Sequence, residues 1–294
     1  MRGLLVCLAM MLVVGCAPRG SGVEGRIAGP GGAGISEASL VEVLRGADIV
    51  VIGEVHDSPI HHARQARLVR ALRPGGIAFE MVPQASEEGI QAFLAQGGTA
   101  REIGPAIGWD RMRWPDWKMY APVFVAAEGA YVAGGGVPRP ELALARREGA
   151  ARAYGGGAEG LGLDQPLDAA LRTELEDEMI ASHCNMLPRE VATGMIESQR
   201  LRDARFAAAA LRAYAAGGGK AVLITGNGHA RTDRGVPAYL GRAMPELTVL
   251  SVGMIELAPG GDPAVAAEMP FDYVWFSEPT DRADPCAAFK VPPS

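Results

Sequence analysis

Short apolar runs alternate with longer amphipathic stretches along most of this chain. Runs typical of buried strands, rich in Val, Ile and Ala, occupy residues 48–53, 77–82, 130–133, 220–225 and 247–252. Helical patterns occupy residues 59–72, 86–94, 166–183 and 187–215. Strands that alternate with helices are typical of a parallel sheet covered on both faces. The pattern therefore predicts an α/β fold: a mostly parallel central sheet flanked by helices, with a large helical excursion between the third and fourth main strands.

The beginning of the chain has the pattern of a bacterial export signal. Arg2 precedes an apolar stretch that is shorter than the roughly 20 residues a membrane-spanning helix needs. The run Val13-Val14-Gly15-Cys16 resembles a lipobox, with Val13 at the position where Leu is usual. We expect residues 1–16 to be a lipoprotein signal peptide that ends at a lipidated, palmitate-bearing Cys16. The alternatives are a short buried helix, or an ordinary cleaved signal with a chance cysteine.

The remainder of the chain divides into a linker and one domain. Gly, Pro and Ser dominate residues 17–36, a composition typical of a flexible tether, and residues 37–294 have the length of a single α/β domain. The Pro-rich residues after the last predicted strand are expected to wrap the surface. A lipid anchor would place the protein in the cell envelope, at the outer membrane or a periplasmic face. That location permits a disulfide between Cys184 and Cys286, with two free thiols as the alternative.

The charge of the chain bears on its partners. The formal net charge is −6, and the sequence contains no basic run. A nucleic-acid site needs a concentration of positive charge to neutralise phosphates. The sequence therefore predicts a membrane partner through the anchor and a small-molecule ligand, and no nucleic acid.

Polar side chains gather where the predicted strands end. Glu54 and His56 follow the first strand, and Glu80 lies within the second. His229 follows the fourth strand after a glycine-rich turn. Ligands bind beyond the carboxyl ends of parallel strands, so we expect these four residues to share one pocket. A buried carboxylate such as Glu80 needs a cation, a metal or a histidine nearby, unless it reaches solvent.

Further polar residues extend this candidate pocket. They are Asp57, His61, His62 and Asn227. The two adjacent histidines begin a predicted helix, so one can face the pocket while the other faces solvent; a helix start favours the neutral ring. The whole set suits an acid–base pair, or a divalent metal held by His56, Glu80 and His229, with no standard zinc spacing.

Residues 107–120 hold three of the four tryptophans. The favoured interpretation is a packed lid over the sheet edge. The alternative is a stacking surface for a flat aromatic ligand, whose carboxylates would pair with Arg111, Arg113 and Lys118.

The ordered set of motifs resembles the ChaN-like haem-binding lipoproteins. These belong to a wider haem-binding uptake group with the Tiki metalloproteases and erythromycin-esterase-like hydrolases. The matching stretches are residues 52–57, His61-His62 with Gln65, 79–82, 117–122, Gln199 with Asp203 and Phe206, 226–229, 235–237 and 284–286. One motif alone would be weak, but their order holds from about residue 40 to the end of the chain.

The resemblance implies a role in haem or iron uptake at the envelope. It also implies haem at the interface of a homodimer, with a tyrosine on the iron, and Tyr120 matches a family position. The chain departs from the pattern at Gly136-Val137-Pro138-Arg139, where relatives tend to have Asn before Pro-Arg. If that Asn contacts the ligand, the pocket differs in this chain.

Three functions follow from these observations. The leading hypothesis is an envelope lipoprotein that binds haem or iron-porphyrin, because a phenolate suits ferric iron and basic side chains suit the propionates. The second is a metal-dependent or acid–base hydrolase built on the Glu/His pocket. The third is a tethered scaffold for a protein partner. The residues themselves favour the hydrolase-like pocket, and only the resemblance favours haem.

Overall fold

The computed structural model describes residues 24–287; residues 1–16, which are expected to be a signal peptide ending at Cys16, lie outside this range. Within it, one sheet contains the strands β1 (Ile27–Ala28), β2 (Gly34–Ile35), β3 (Ile49–Ile52), β4 (Gly76–Pro83), β5 (Tyr131–Gly136), β6 (Ala221–Ile224), β7 (Val249–Glu256) and β8 (Tyr273–Ser277). The α-helices are α1 (Glu37–Arg45), α2 (Pro59–Leu72), α3 (Glu87–Ala95), α4 (Ile103–Ile107), α5 (Trp117–Ala126), α6 (Arg139–Glu148), α7 (Ala150–Tyr154), α8 (Ala169–Ser182), α9 (Arg189–Ala216), α10 (Asn227–Ala230) and α11 (Val236–Ala243).

The sheet is mostly parallel, which confirms the predicted fold class. Its strand order is β2-β1-β8-β7-β3-β6-β4-β5. The six strands from β8 to β5 run parallel, and β1 pairs antiparallel with both β8 and β2. The large helical excursion comprises α6 to α9 and lies between β5 and β6, as the sequence pattern predicts.

The central strand β3 shows how the sheet is buried on both faces. Its four residues are all buried, and their side chains alternate between the two sides of the sheet. Val50 and Ile52 join the core formed with α1, α2 and α5. Ile49 and Val51 join the core formed with α9 and α11. A continuous β-branched run is what a strand covered on both faces requires.

The structure differs from the sequence prediction at the first sheet edge. The tether was expected to extend to residue 36, but residues 24–36 include β1 and β2. Ile27 is paired with Trp275 of β8, and it is only 2% exposed. Two apolar residues between Arg26 and Gly29 carry too little pattern to predict a strand, so the pairing with β8 decides their conformation. The folded domain therefore begins before residue 37.

Strand β8 was also not predicted, since β7 was expected to be the last strand. After β8 the tail is tied to the domain at two points. Arg282 pairs with Asp57 and with Glu256. Cys286 forms a disulfide with Cys184, in the turn between α8 and α9, with their Cα atoms 5.5 Å apart. Among the described residues, no helix combines the length and the apolar character needed to cross a bilayer.

Candidate functional site

Glu80 lies at the centre of the candidate site. It projects from β4, and its Oε2 accepts hydrogen bonds from the Thr225 hydroxyl at 2.7 Å and the Gly226 amide at 2.8 Å. Its Oε1 lies 3.9 Å from Nε2 of His56 and 3.9 Å from Nε2 of His229. The ends of β3, β4 and β6 thus deliver one carboxylate and two imidazoles to a common point.

Each of these histidines is held by a second carboxylate. Nδ1 of His56 lies 2.7 Å from Oε1 of Glu54. Nδ1 of His229 lies 2.7 Å from Oδ1 of Asp203, on α9. A carboxylate on Nδ1 fixes the ring orientation and makes the opposite nitrogen a better proton acceptor or ligand. Both rings therefore present Nε2 toward Glu80.

The charges of this cluster shift its pKa values in opposite directions. Burial alone would raise the pKa of Glu80, but the neighbouring His229 and His56 outweigh it and hold that pKa below its usual value. Burial opposes charge on both imidazoles, yet Glu54 raises the pKa of His56, and Asp203 raises the pKa of His229. The cluster therefore favours the charged form of Glu80, and it makes both imidazoles hold a proton more readily than a free imidazole does.

Glycines at the ends of β3 and β6 allow His56 and His229 to come close together. A Cβ atom at Gly53 would lie 2.3 Å from the side-chain oxygen of Asn227, and one at Gly226 would lie 3.1 Å from Nε2 of His56. The strand exits can approach each other this closely only because glycine has no side chain.

Glu54 is a buried hub for several side chains. It is 2% exposed, and its Oε1 accepts a hydrogen bond from the Tyr120 hydroxyl at 2.7 Å. Its Oε2 accepts from the Gln65 amide at 2.7 Å and lies 3.3 Å from Nδ1 of His62. Each oxygen of this carboxylate contacts two side chains, so Glu54 positions His56 and is not free to react.

Tyr120, which matches a family position and was the candidate iron ligand, is held by these contacts inside the core. Its side chain is fully buried, and the His62 and Trp109 rings pack on it with centroids 4.2 and 4.9 Å away. Burial and the charge of Glu54 raise the pKa of its phenol strongly. A hydroxyl that donates to Glu54 inside the core does not offer a phenolate to a ligand in the cleft, so Tyr120 is a positioning residue.

Three other candidate residues lie away from this cluster. Asp57 is bound by Arg282 of the tail. His61 accepts from the Val55 amide and contacts the Ser277 hydroxyl, and burial lowers its pKa to about 4. Asn227 uses its amide to bind the backbone of Met254.

The expectation that one of the adjacent histidines faces solvent is wrong. His61 and His62 are both buried, at 0% and 1% exposure. Nε2 of His62 is 2.9 Å from the His56 carbonyl oxygen, so His62 supports the turn that carries His56.

The cluster opens into a cleft of about 970 Å³. Its walls include Arg111, Arg113, Arg139 and Arg202. None of these four forms an ion pair with a carboxylate in residues 24–287. Lys118, which was expected to act with them, is not among the lining residues. Unpaired guanidinium groups around one opening suit a ligand with two or more anionic groups.

The tryptophan segment serves mainly as packing. Trp109 is buried against Trp117, with ring centroids 5.1 Å apart. Trp114 instead lines the cleft, edge-on to His56 at 5.0 Å. The segment therefore closes one side of the cleft, and one of its rings remains available to a ligand.

Two kinds of functional residue were not predicted. Asp203 was noticed only in a motif, although its spacing from Gln199 and Phe206 places all three on one helix face. Arg202 carries no local signal that separates it from other arginines, and Arg139 was noticed only in the Pro-Arg motif of the resemblance. Within residues 24–287, no group of three or more His, Cys, Asp or Glu side chains is arranged to hold a metal ion, so the metal alternative gains no support.

The structure is that of an α/β protein with a cleft at the carboxyl edge of its sheet and two histidines paired with carboxylates there. Comparison with known families is more specific. The chain belongs to the family described as haem-binding uptake, Tiki superfamily, ChaN, whose model matches residues 40–240. The resemblance deduced from the motifs is thereby confirmed. No curated protein matches the sequence.

Two solved structures are similar to this chain. The first shows cofacial haem binding to ChaN of Campylobacter jejuni, with 20% identity and a TM-score of 0.66 over 86% of this chain and 96% of that chain. The second is the type III effector HopBA1, with 15% identity and a TM-score of 0.45 over 90% of this chain and all of that chain. The first similarity supports the α/β fold.

Proposed function

We propose that this protein is an envelope lipoprotein that binds haem or iron-porphyrin in the cleft around His56, in haem or iron uptake. The observation that carries the proposal is the state of His56. Its side chain is 34% exposed, its Nδ1 is held by Glu54, its Nε2 lies 3.9 Å from Glu80, and the residue lines the cleft. A histidine bound through Nδ1 to a carboxylate is a common arrangement for a metal ligand. Membership of a haem-binding uptake family supports the choice of haem as the ligand.

The cleft fits this ligand in size and charge. Its volume of about 970 Å³ is within the ~300–1,000 Å³ typical of sites for small molecules and cofactors. The arginines around it could pair with two propionates, and Trp114 offers an aromatic face to the porphyrin. No tyrosine is among the residues that line the described cleft, so we propose His56 in place of the tyrosine that the resemblance implies.

A hemin titration tests this proposal. Wild-type protein is expected to give a shifted Soret band that saturates. Replacing His56 with Ala should weaken hemin binding on the order of 100-fold, because it removes the iron ligand. Absorbance titration of the purified domain measures both affinities.

Two variants serve as controls for that titration. His183→Ala removes an exposed histidine that does not line the cleft and should leave the affinity unchanged. Tyr120→Phe removes only the phenolic hydroxyl and should retain the Soret shift. Loss of the shift in Tyr120→Phe with retention in His56→Ala would reverse the proposed assignment of the ligand.

A specific observation also favours an acid–base hydrolase. His56 and His229 both face Glu80, and each is backed by a carboxylate, so one ring could accept a proton while the other donates one. Glu80→Gln separates the two functions. It should abolish a hydrolase, whereas hemin binding through His56 should persist. A protein without a hemin spectrum, whose esterase activity depends on Glu80, would establish this second function.

The lipid anchor is proposed from the run that ends at Cys16. Cys16→Ser should release the protein from the membrane fraction, because acyl chains contribute about 0.8 kcal/mol per buried methylene to attachment. Fractionation in high salt, followed by immunoblotting, measures the distribution. A variant that still sediments with membranes under those conditions would show that lipid is not the anchor.

A further inference from the structure

A second, apolar pocket lies beside the cleft. It has a volume of about 270 Å³ and is enclosed by the helical excursion and α11. Its apolar lining residues include Leu175 and Met179 of α8, Ile196 of α9 and Tyr239 of α11. Its size equals the space of about nine water molecules at ~30 Å³ each. This is enough for a ring system or a short alkyl chain.

The pocket and the cleft share a wall. Gln199 and His229 line both cavities. Oε1 of Gln199 accepts a hydrogen bond from Arg202 at 2.8 Å on the cleft side. Asp203, which holds Nδ1 of His229, lines the pocket side. Two side chains thus divide a cationic compartment from an apolar one.

The two compartments differ sharply in chemistry. The cleft carries four arginines without a carboxylate partner in the described part of the chain. The arginines that line the pocket, Arg200 and Arg234, are instead paired with Glu197, and with Glu174 and Glu178. The pocket therefore offers apolar contact with little free charge, whereas the cleft attracts anions.

We propose that this pocket, which we call the apolar compartment, is the second half of one ligand site. It takes the apolar arm of an amphiphilic small molecule whose anionic groups lie among the cleft arginines, and movement of Gln199 joins the two spaces. The inference rests on the proposed ligand site in the cleft. It adds that recognition depends on apolar contacts between α8 and α9, a part of the molecule to which the haem-binding proposal gives no role.

The probe for this site is 1-anilinonaphthalene-8-sulfonate, which joins aromatic rings to one anionic group. Met179→Trp fills the apolar compartment and should weaken dye binding about tenfold, whereas the matched Met186→Trp should have no effect. Met186 is 63% exposed in the turn after α8. Arg139→Ala should also weaken the dye several-fold by removing a cleft cation. Leu175→Lys is the second test of the compartment, should Met179→Trp fail to fold by circular dichroism.

Displacement by hemin separates this inference from the haem proposal. We expect hemin to release the bound dye from wild-type protein in a one-to-one titration. If neither Met179→Trp nor Leu175→Lys changes the affinity for the dye, the apolar compartment is not a binding site and the inference is overturned. Hemin that binds without releasing the dye would show that the two cavities are separate sites, which also overturns the inference. Dye binding that responds to both variants, in a protein that does not bind hemin, would support the compartment and refute the haem proposal.

Discussion

Removing the disulfide between Cys184 and Cys286 is expected to lower the free energy of unfolding by about 4 to 5 kcal/mol. The bond closes a loop with a sequence separation of 102 residues, which includes α9 and the strands β6, β7 and β8. A crosslink across about 100 residues restricts the unfolded chain by an amount worth roughly 4.7 kcal/mol. Urea denaturation of the Cys184→Ala/Cys286→Ala double variant, compared with wild type, measures the difference.

Reductant provides the matched control. It should destabilise wild-type protein to the level of the double variant and leave the double variant unchanged. Equal midpoints for all four samples would show that the tail detaches before the domain unfolds. In that case the bond would add nothing to the stability of the sheet.

Glu54→Ala is expected to cost about 3 to 5 kcal/mol of stability. The substitution leaves the Tyr120 hydroxyl and the Gln65 amide buried without their shared acceptor. It also removes the negative charge that lies 2.7 Å from Nδ1 of His56. Removing one member of a buried, hydrogen-bonded charge network has a cost of about this size.

The comparison variant is Glu42→Ala, which makes the same substitution at the surface. Glu42 pairs with Arg45 within α1, and its side chain is 77% exposed. Exposed pairs of this kind contribute about 0–1 kcal/mol. Chemical denaturation of both variants should therefore separate them clearly. Equal losses would show that the Glu54 network contributes no more than a surface ion pair.

The sequence predicts the central fold well because the central strands must be apolar on both faces. β3 falls within the predicted residues 48–53, and α2 coincides with the predicted helix over residues 59–72. The strands at the first edge of the sheet are not predicted by the sequence. β1 has two residues, and β8 follows a stretch rich in Gly, Pro and Asp. Their conformations depend on pairing with each other, which a local pattern cannot convey.

The candidate site is predictable where its residues follow strand ends. Glu54, His56, Glu80 and His229 could be assembled from the sequence alone because parallel strands deliver their carboxyl ends to one edge. Asp203 comes from the middle of α9, so its place in the site depends on how that helix packs on the sheet. The direction of a side chain at the start of a helix is also not given by the sequence, as the burial of His61 in α2 shows.

The position of β1 has a consequence for how far the domain can stand from a membrane. Ile27 is already fixed in the sheet, and Cys16 precedes it by eleven positions. An extended chain covers at most about 3.6 Å per residue, so an acylated Cys16 would keep this sheet edge within about 40 Å of the lipid surface. A tether that extended to residue 37 would have allowed nearly twice that distance. A delivery or acceptor protein would then have to meet the domain within that distance of the lipid plus the width of the domain itself.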